Sequence, residues 1–224
     1  MKKFLPFIIA GVGVLIVVVA ALLITSGSKT PSSTPTDQIA NAPVLPQSEW
    51  PVVSLIPTTD PKIPNSLGHL LDLKVQKINI PGAASMDYEL VYNTTDGGQQ
   101  GVPGTVHLTS GDIDRVLLLG SESSGNYRFD DGVNQGTITI TFRDSGGKLI
   151  GKLTSEFTLQ SNTTSLSSAD GKFKYNLDKL AKNVYFVTMQ SFAAPDASTT
   201  VITSNGYSIF ASDGKPHAGS VTSQ

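Results

Sequence analysis

Four aspartates carry the most explicit chemistry in this sequence. Asp112 and Asp114 are separated by one residue, and Asp130 and Asp131 are adjacent. Carboxylates this close repel one another, and a bound Ca²⁺ ion would relieve the repulsion. Neither pair lies in an Asp-x-Asp-x-Asp-Gly calcium loop, and aspartate is also favoured in solvated turns. The sequence therefore offers these four residues as calcium ligands, with two plain turns as the alternative.

A pair of aromatic residues forms a second candidate site. Tyr127 and Phe129 flank Arg128 between two glycine-containing loops, so they could form a platform for a sugar or a peptide. The same alternation is also typical of a strand that turns one face to the core. Trp50 is the sole tryptophan and is predicted to lie outside the folded body, which disfavours a broad aromatic shelf for carbohydrate.

The sequence gives no catalytic or cofactor-binding residue. His69, His107 and His217 are far apart and lack metal-ligand spacing, so they are interpreted as structural or surface residues. No Gly-x-Ser-x-Gly motif of a serine hydrolase occurs, and the segment 120–125 is one residue too long to form it. The chain has no cysteine, which excludes disulfides and thiolate chemistry.

The N-terminus reads as a membrane anchor. After Lys2 and Lys3, residues 4–25 form an uncharged apolar run, which as a helix would span roughly 33 Å, enough to cross a bilayer core. A cleaved signal peptide is the alternative, but its apolar core is shorter. The two lysines favour a cytoplasmic position for residues 1–3 and an extracytoplasmic position for the rest of the chain, in the cell envelope.

Composition separates a linker from the body of the chain. Eight of the 13 prolines lie between Pro31 and Pro64, so residues 26–65 are predicted to be a flexible linker and residues 66–224 the folded domain. Within the linker, residues 50–56 are more apolar, and we interpret them as an edge strand that packs on the domain, or as a peptide offered to a partner. The net charge of −2 argues against nucleic acid as a partner.

Beyond residue 70 the apolar pattern has a period of two, which predicts strands. Leu71, Leu73 and Val75 alternate with polar residues, and further strands are expected at 88–92, 137–142, 148–159 and 184–192. Residues 144–147 read Asp-Ser-Gly-Gly, which predicts a hairpin turn. One short helix is predicted at residues 177–182, with Asn176 as its N-cap.

Two segments resemble a known class of domain. Leu177 and Leu180 followed by Tyr185 are similar to the E–F corner of immunoglobulin-like and fibronectin-type sandwiches, and residues 139–150 resemble a hairpin of bacterial immunoglobulin-like domains. Residues 88–125 resemble membrane-anchored proteins of candidate-phylum bacteria that carry no known activity. The resemblance implies an all-β fold, an immunoglobulin-like antiparallel β-sandwich, and transfers no functional residue.

The sequence therefore predicts a single-pass, non-enzymatic envelope protein that displays this sandwich for binding, adhesion or assembly. Its partners would be the membrane, through the N-terminal helix, and an unknown protein or glycan at the cell surface. Edge strands and the loop 94–104 are the expected contact surfaces. A surface-anchored carbohydrate-active or hydrolytic enzyme and a purely structural spacer are the alternatives.

Overall fold

The computed structural model describes residues 42–109, 111–195 and 201–223, which form an all-β structure. The strands of these residues are β1 (Val52–Thr58), β2 (Leu70–Gln76), β3 (Ser85–Asn93), β4 (Gln99–His107), β5 (Ile113–Leu118), β6 (Gly120–Ser123), β7 (Asn126–Phe129), β8 (Gln135–Arg143), β9 (Leu149–Ser161), β10 (Ser165–Ser167), β11 (Phe173–Leu177), β12 (Tyr185–Gln190), β13 (Val201–Ser204), β14 (Tyr207–Ala211) and β15 (Gly219–Ser223). A short 3₁₀ turn, Gln47–Glu49, precedes them. The described residues contain no helix long and apolar enough to span a membrane, and the predicted anchor at residues 4–25 lies outside them.

The strands pair in antiparallel sheets, as predicted. The largest sheet has the order β13-β14-β12-β9-β8-β3-β4. Two three-stranded sheets have the orders β1-β2-β5 and β10-β11-β15, and β6 and β7 form a separate hairpin. This arrangement is consistent with a β-sandwich.

The main core lies between the large sheet and the β1-β2-β5 sheet. Alternate residues of each strand point into it, as the period of two predicts. Its fully buried members include Leu55, Leu71, Leu73, Val75, Met86, Leu90, Ile138, Ile140, Phe142 and Phe157. The predicted turn at residues 144–147 joins β8 to β9, where the Asp144 carboxylate accepts hydrogen bonds from the amides of Gly146 and Lys148, both at 2.9 Å.

A second core lies on the opposite face of the same large sheet. On β12, Val187 and Met189 face the main core, whereas Phe186, which precedes them, faces the β10-β11-β15 sheet. On β14, Phe210 faces the main core and Ile209 faces the second core. The second core contains Leu166, Phe173, Tyr175, Leu177, Val184, Phe186, Ile209 and Ala211. One sheet therefore has apolar side chains buried on both of its faces.

Folded structure begins earlier than the predicted boundary at residue 66. Strand β1, Val52–Thr58, lies in the range predicted to be linker, and it pairs along its whole length with β2 as an edge of its sheet. The interpretation of residues 50–56 as an edge strand on the domain is confirmed. Trp50 is half-buried against the main core, so its predicted position outside the folded body is wrong.

The predicted helix at residues 177–182 is also wrong. Leu177 is the last residue of β11, and the residues after it form bends and a turn. The Leu177 amide donates to the Thr164 carbonyl at 2.8 Å, and the Asp178 amide donates to the Ala218 carbonyl at 2.9 Å. These bonds to distant residues take the donors that a helix would pair internally. Asn176, the predicted N-cap, lies inside β11 opposite Ser220.

Strand β4 is an outer edge of the large sheet, and a proline interrupts the donors along this edge. Leu108 and Thr94 donate amide hydrogen bonds across the β3–β4 pair, which places the even-numbered amides of β4 toward β3. The nitrogen of Pro103 therefore faces outward and carries no hydrogen. A proline at such a position hinders the pairing of edges between molecules.

The shared sheet predicts that the two cores unfold together. Phe173 is fully buried in the second core, and its replacement in Phe173→Ala should lower the free energy of unfolding by about 3–5 kcal/mol. Trp50 fluorescence reports on the main core, because Trp50 is the sole tryptophan and packs there. We expect the fluorescence and circular dichroism midpoints of Phe173→Ala to fall together.

The matched control is Leu180→Ala, which truncates a leucine that is 46% exposed in the same part of the chain. Its midpoint should stay near that of the wild type. A fluorescence midpoint that is unchanged in Phe173→Ala, with a lowered second transition by circular dichroism, would contradict the coupling of the two cores.

Candidate functional site

A polar cleft of about 440 Å³ lies between the β3–β4 turn and the β6–β7 hairpin. Its lining includes Asp96 from the turn and Arg128, Phe129, Asp130 and Asp131 from the end of the hairpin. Three of the residues predicted to bind a ligand or an ion thus lie in one cleft. Asp96 lies in the loop 94–104 that the sequence predicted as a contact surface, but neither Asp96 nor Arg128 was singled out as a binding residue.

The β3–β4 turn fixes the position of Asp96. Gly97 has a φ of 79°, which favours glycine, and the Thr94 amide donates to the Gly98 carbonyl at 3.0 Å. The Asp96 carboxylate accepts hydrogen bonds from the Thr94 hydroxyl and from the Gly98 amide. The bond from the Thr94 hydroxyl lowers the pKa of Asp96 most, and the bond from the Gly98 amide lowers it less. The Arg128 guanidinium lowers the same pKa by a smaller amount. Asp96 therefore presents an ionised carboxylate to solvent at the cleft.

The β6–β7 hairpin is built by local backbone geometry. Ser124 and Gly125 both have positive φ, as a tight two-residue hairpin turn requires, and the Gly125 amide donates to the Glu122 carboxylate at 2.6 Å. At the base of the hairpin, Gly120 has a φ of 149°, and a β-carbon there would overlap the Arg128 carbonyl. Only glycine allows the two strands to approach this closely.

The ring of Phe129 is fixed by stacking on a second aromatic ring. Its ring stacks on His69 with a centroid distance of 4.5 Å and an interplanar angle of 14°. The carbonyl of His69 also accepts the Leu119 amide at 2.8 Å, which ties the start of β2 to the base of the hairpin. Phe129 is half-buried and lines the cleft, whereas Tyr127 is 42% exposed and pairs with Glu122 across the hairpin.

Asp130 and Asp131 connect the hairpin to the rest of the sandwich. The Tyr92 hydroxyl donates to the Asp130 carboxylate at 2.9 Å, and burial together with this carboxylate raises the pKa of Tyr92. The Asp131 carbonyl accepts the Thr95 amide at 3.1 Å. A β-carbon at Gly132 would overlap the Thr95 side chain, so the two loops are in close contact. The cleft is therefore a defined part of the fold.

The structure does not bring the two predicted calcium pairs together. Asp112 and Asp114 lie at the start of β5, whereas the Asp130 amide donates to the carbonyl of Leu119, just after the end of β5. Seven residues of extended chain separate these positions by about 23 Å. Asp112 instead accepts a hydrogen bond from Gln76 at 3.0 Å. In the described part of the chain no group of three or more acidic, histidine or cysteine residues is placed to hold a metal ion.

Asp114 belongs to a charged cluster on the β1-β2-β5 sheet. Lys74 bridges Asp72 at 3.3 Å and Asp114 at 3.1 Å. Burial raises the pKa of Asp72 to about 6, the neighbouring Asp114 carboxylate adds to the rise, and Lys74 opposes it. One oxygen of Asp72 is buried without a hydrogen-bond partner among the described residues. Asp72 is thus a carboxyl whose environment favours its protonated form.

The other histidines lie apart from the cleft lining. His107 ends β4 and is exposed, and the His217 ring lies 3.0 Å from the Asp213 carboxylate, next to the second core. Neither residue lines the cleft.

Comparison of the chain with protein-family models, with curated proteins and with solved structures found no significant match.

The Asp72 cluster predicts a specific pH dependence of stability. A folded pKa raised from 3.8 to about 6 gives stability that is present below the unfolded pKa and is lost as pH rises through about 6. Asp72→Asn mimics the protonated form. We expect its stability relative to the wild type to improve by about 1–2 kcal/mol between pH 5 and pH 8, measured by urea denaturation at both pH values.

The control is Asp112→Asn, which removes an exposed carboxylate close to the same cluster. Its effect on stability should be equal at the two pH values. A wild-type chain that becomes more stable relative to Asp72→Asn as pH rises would contradict the assignment.

Calcium binding by the four predicted aspartates is tested by thermal denaturation. A site of extracellular type has a Kd of about 0.1–1 mM, so about 5 mM Ca²⁺ would saturate it and raise the melting temperature. Because the two pairs are far apart and Asp130 already accepts the Tyr92 hydroxyl, we expect no shift. A rise with CaCl₂ that MgCl₂ does not reproduce would restore the calcium hypothesis.

Proposed function

We propose that this chain is a single-pass envelope protein that displays an immunoglobulin-like sandwich for non-catalytic binding, and that the polar cleft is its binding site. The apolar run at residues 4–25 supports the anchor, and the proline-rich residues after it support a spacer between the membrane and the domain. A domain on such a spacer has a high local concentration at the cell surface.

The strand order supports the immunoglobulin-like part of the proposal. If β1, β2 and β5 are strands A, B and E, then β4, β3, β8 and β9 take the places of C′, C, F and G in the opposing sheet. This is the two-sheet arrangement of fibronectin-type domains. On this assignment the sandwich spans β1 to β9, so residues 139–150 fall in its F–G hairpin, whereas Leu177, Leu180 and Tyr185, which resemble an E–F corner, lie beyond it. The strands from β10 onward are then an addition to the sandwich.

The location of the cleft supports a binding role. Its walls are the C–C′ turn and a hairpin inserted between strands E and F, so both come from connections at the rim of the sandwich. Loops held by a rigid sandwich commonly carry recognition, because their residues vary without loss of the core. The Thr95–Asp131 bond holds the two loops together before any ligand arrives. The single observation that carries the proposal is this preformed cleft.

The chemistry of the lining favours a neutral or amine-bearing glycan. Carboxylates, the Arg128 guanidinium and the hydroxyl groups of Thr95 and Ser121 are suited to hydrogen bonding with a polyol. Phe129 supplies an apolar surface for a sugar ring, and its stack with His69 fixes the orientation of its plane. Three carboxylates against one guanidinium make the cleft acidic, which disfavours an anionic polysaccharide.

A glycan-binding measurement on the full-length chain in detergent tests this function. The probes are an array of neutral, amine-bearing and acidic bacterial surface oligosaccharides, and sedimentation with purified peptidoglycan. We expect neutral or amine-bearing glycans to be retained and acidic ones to be excluded. Arg128→Ala and Asp131→Ala should each weaken binding at least about tenfold, the usual cost of one charged hydrogen bond.

Tyr127→Ala is the matched control, since it changes an exposed residue on the same strand that does not line the cleft. Its binding should equal that of the wild type. Retention of no glycan at all, or binding that Arg128→Ala and Asp131→Ala leave intact, would refute the cleft as a glycan site.

A further inference from the structure

One half of β9 has an edge that β12 does not cover. β8 pairs with β9 from Leu149 to Thr158, but β12 pairs with β9 only from Phe157 to Ser161. On the side away from β8, residues 149–156 therefore extend beyond the paired part of β12. Within the described ranges, the backbone pairing on this half-edge is a single parallel bridge between Val44 and Lys152. The chain just before the folded strands thus lies against an exposed strand edge.

Residues 43–49 form the segment that occupies this half-edge, and we call it the strap. The Lys152 amide donates to the Pro43 carbonyl at 2.8 Å, and the Leu45 amide donates to the Lys152 carbonyl at 3.4 Å. The Trp50 indole nitrogen donates to the Leu45 carbonyl at 2.8 Å, and its ring meets Phe192 edge-on at 5.8 Å. The strap is therefore attached by a backbone pair to β9 and by the indole of Trp50, which itself packs on the main core.

The space above Gly151 is occupied by Leu45 of the strap. Leu45 is 4% exposed and belongs to the main core, although it lies before β1. A β-carbon at Gly151 would overlap the Leu45 side chain, so the absence of a side chain at Gly151 is what makes room for the leucine. Val44, by contrast, is 71% exposed. The strap thus inserts one large side chain and leaves its neighbour in solvent.

The composition of the strap limits its attachment. Pro43 and Pro46 have no amide hydrogen, so neither can add a donor to the pairing with β9. Among the described residues, two backbone hydrogen bonds join the strap to β9, whereas β8 pairs with β9 from Leu149 to Thr158. A segment with this shorter backbone pairing opens more readily than the strands behind it.

We propose that the strap is a reversible closure of a strand-accepting slot on β9. When it is closed, Leu45 fills the space above Gly151 and the Pro43 carbonyl accepts the Lys152 amide. When it opens, the slot accepts an extended peptide that has a leucine-sized side chain at the position of Leu45. Opening also frees seven residues, which lengthens the spacer before β1 by about 24 Å. The slot and the polar cleft are separate sites, and neither proposal depends on the other.

Hydrogen exchange of two adjacent amides tests the closure in the full-length wild-type chain. The Lys152 amide donates to the strap, whereas alternation along β9 directs the Leu153 amide toward Ile140 of β8. Residue-resolved exchange should therefore be at least about tenfold faster at Lys152 than at Leu153, because the Lys152 amide bonds to the strap and the Leu153 amide to β8. Equal protection of the two amides would show that the strap opens only when the whole domain unfolds, and would overturn the proposal.

Gly151→Ala displaces the strap without removing any of its residues. Its β-carbon would take the space of Leu45, so exchange at Lys152 should accelerate further while exchange at Leu153 stays unchanged. The matched control is Gly101→Ala on β4, where a β-carbon makes only an ordinary contact with the Leu90 carbonyl at 3.8 Å. Gly101→Ala should leave both amides as in the wild type. Acceleration of both amides in Gly151→Ala would mean that the strap is an inseparable part of the fold.

A synthetic peptide with the sequence of residues 42–50 probes the slot. It should bind full-length Leu45→Ala, in which the space above Gly151 is vacated, at least tenfold more tightly than it binds the wild type. A peptide that carries alanine in place of its own leucine should not bind. Because the chain lacks cysteine, Val44→Cys with Lys152→Cys can lock the strap by a disulfide, and the locked chain should not bind. Failure of the peptide to bind Leu45→Ala, or binding to the locked chain, would overturn the slot.

Discussion

The structure depends on one long strand that serves two cores. β9 has 13 residues and pairs with β8 over its first ten and with β12 over its last five. In the second half, Phe157 and Leu159 face the main core, whereas Thr158 and Gln160 face away and hydrogen-bond to Ser167 of β10, at 2.6 and 2.8 Å. Because β9 contributes to both cores, it cannot shift within one core without shifting within the other. The large sheet therefore joins the sandwich to the strands added to it.

This constraint explains which parts of the chain can form a binding site. The β9–β12 side of the large sheet is committed to the second core, so the variable connections lie at the rim, where the β3–β4 turn meets the β6–β7 hairpin. The bond from Thr95 to Asp131 and the stack of His69 on Phe129 fix both walls of the cleft against the sandwich. A ligand would then meet an ordered site, which reduces the entropy lost on binding.

Local patterns in the sequence predicted the strands but not the distant pairings. Alternation identified β2, β3, β8 and β9, and Asp144 with its glycines identified the hairpin, because both signals are local. The predicted helix failed because Leu177 and Leu180 have helical spacing, yet Leu177 pairs with Gly219 and Leu180 points to solvent. In the cleft, Asp96 and Asp131 are 35 residues apart in the chain and are brought together by the pairing register of the strands. No local sequence pattern encodes this register. Asp130, Asp131 and Phe129 were found as candidates by residue type, but their common location required the fold.

The most direct test of the account is a map of backbone amide chemical shifts on the isotopically labelled full-length chain during titration with a neutral hexosamine oligosaccharide. The largest changes are expected at Thr95, Asp96, Arg128 and Asp131, on the two walls of the cleft, with little change along β1. Changes that concentrate elsewhere, or no change at millimolar oligosaccharide, would contradict the claim that the loop cleft is the binding site.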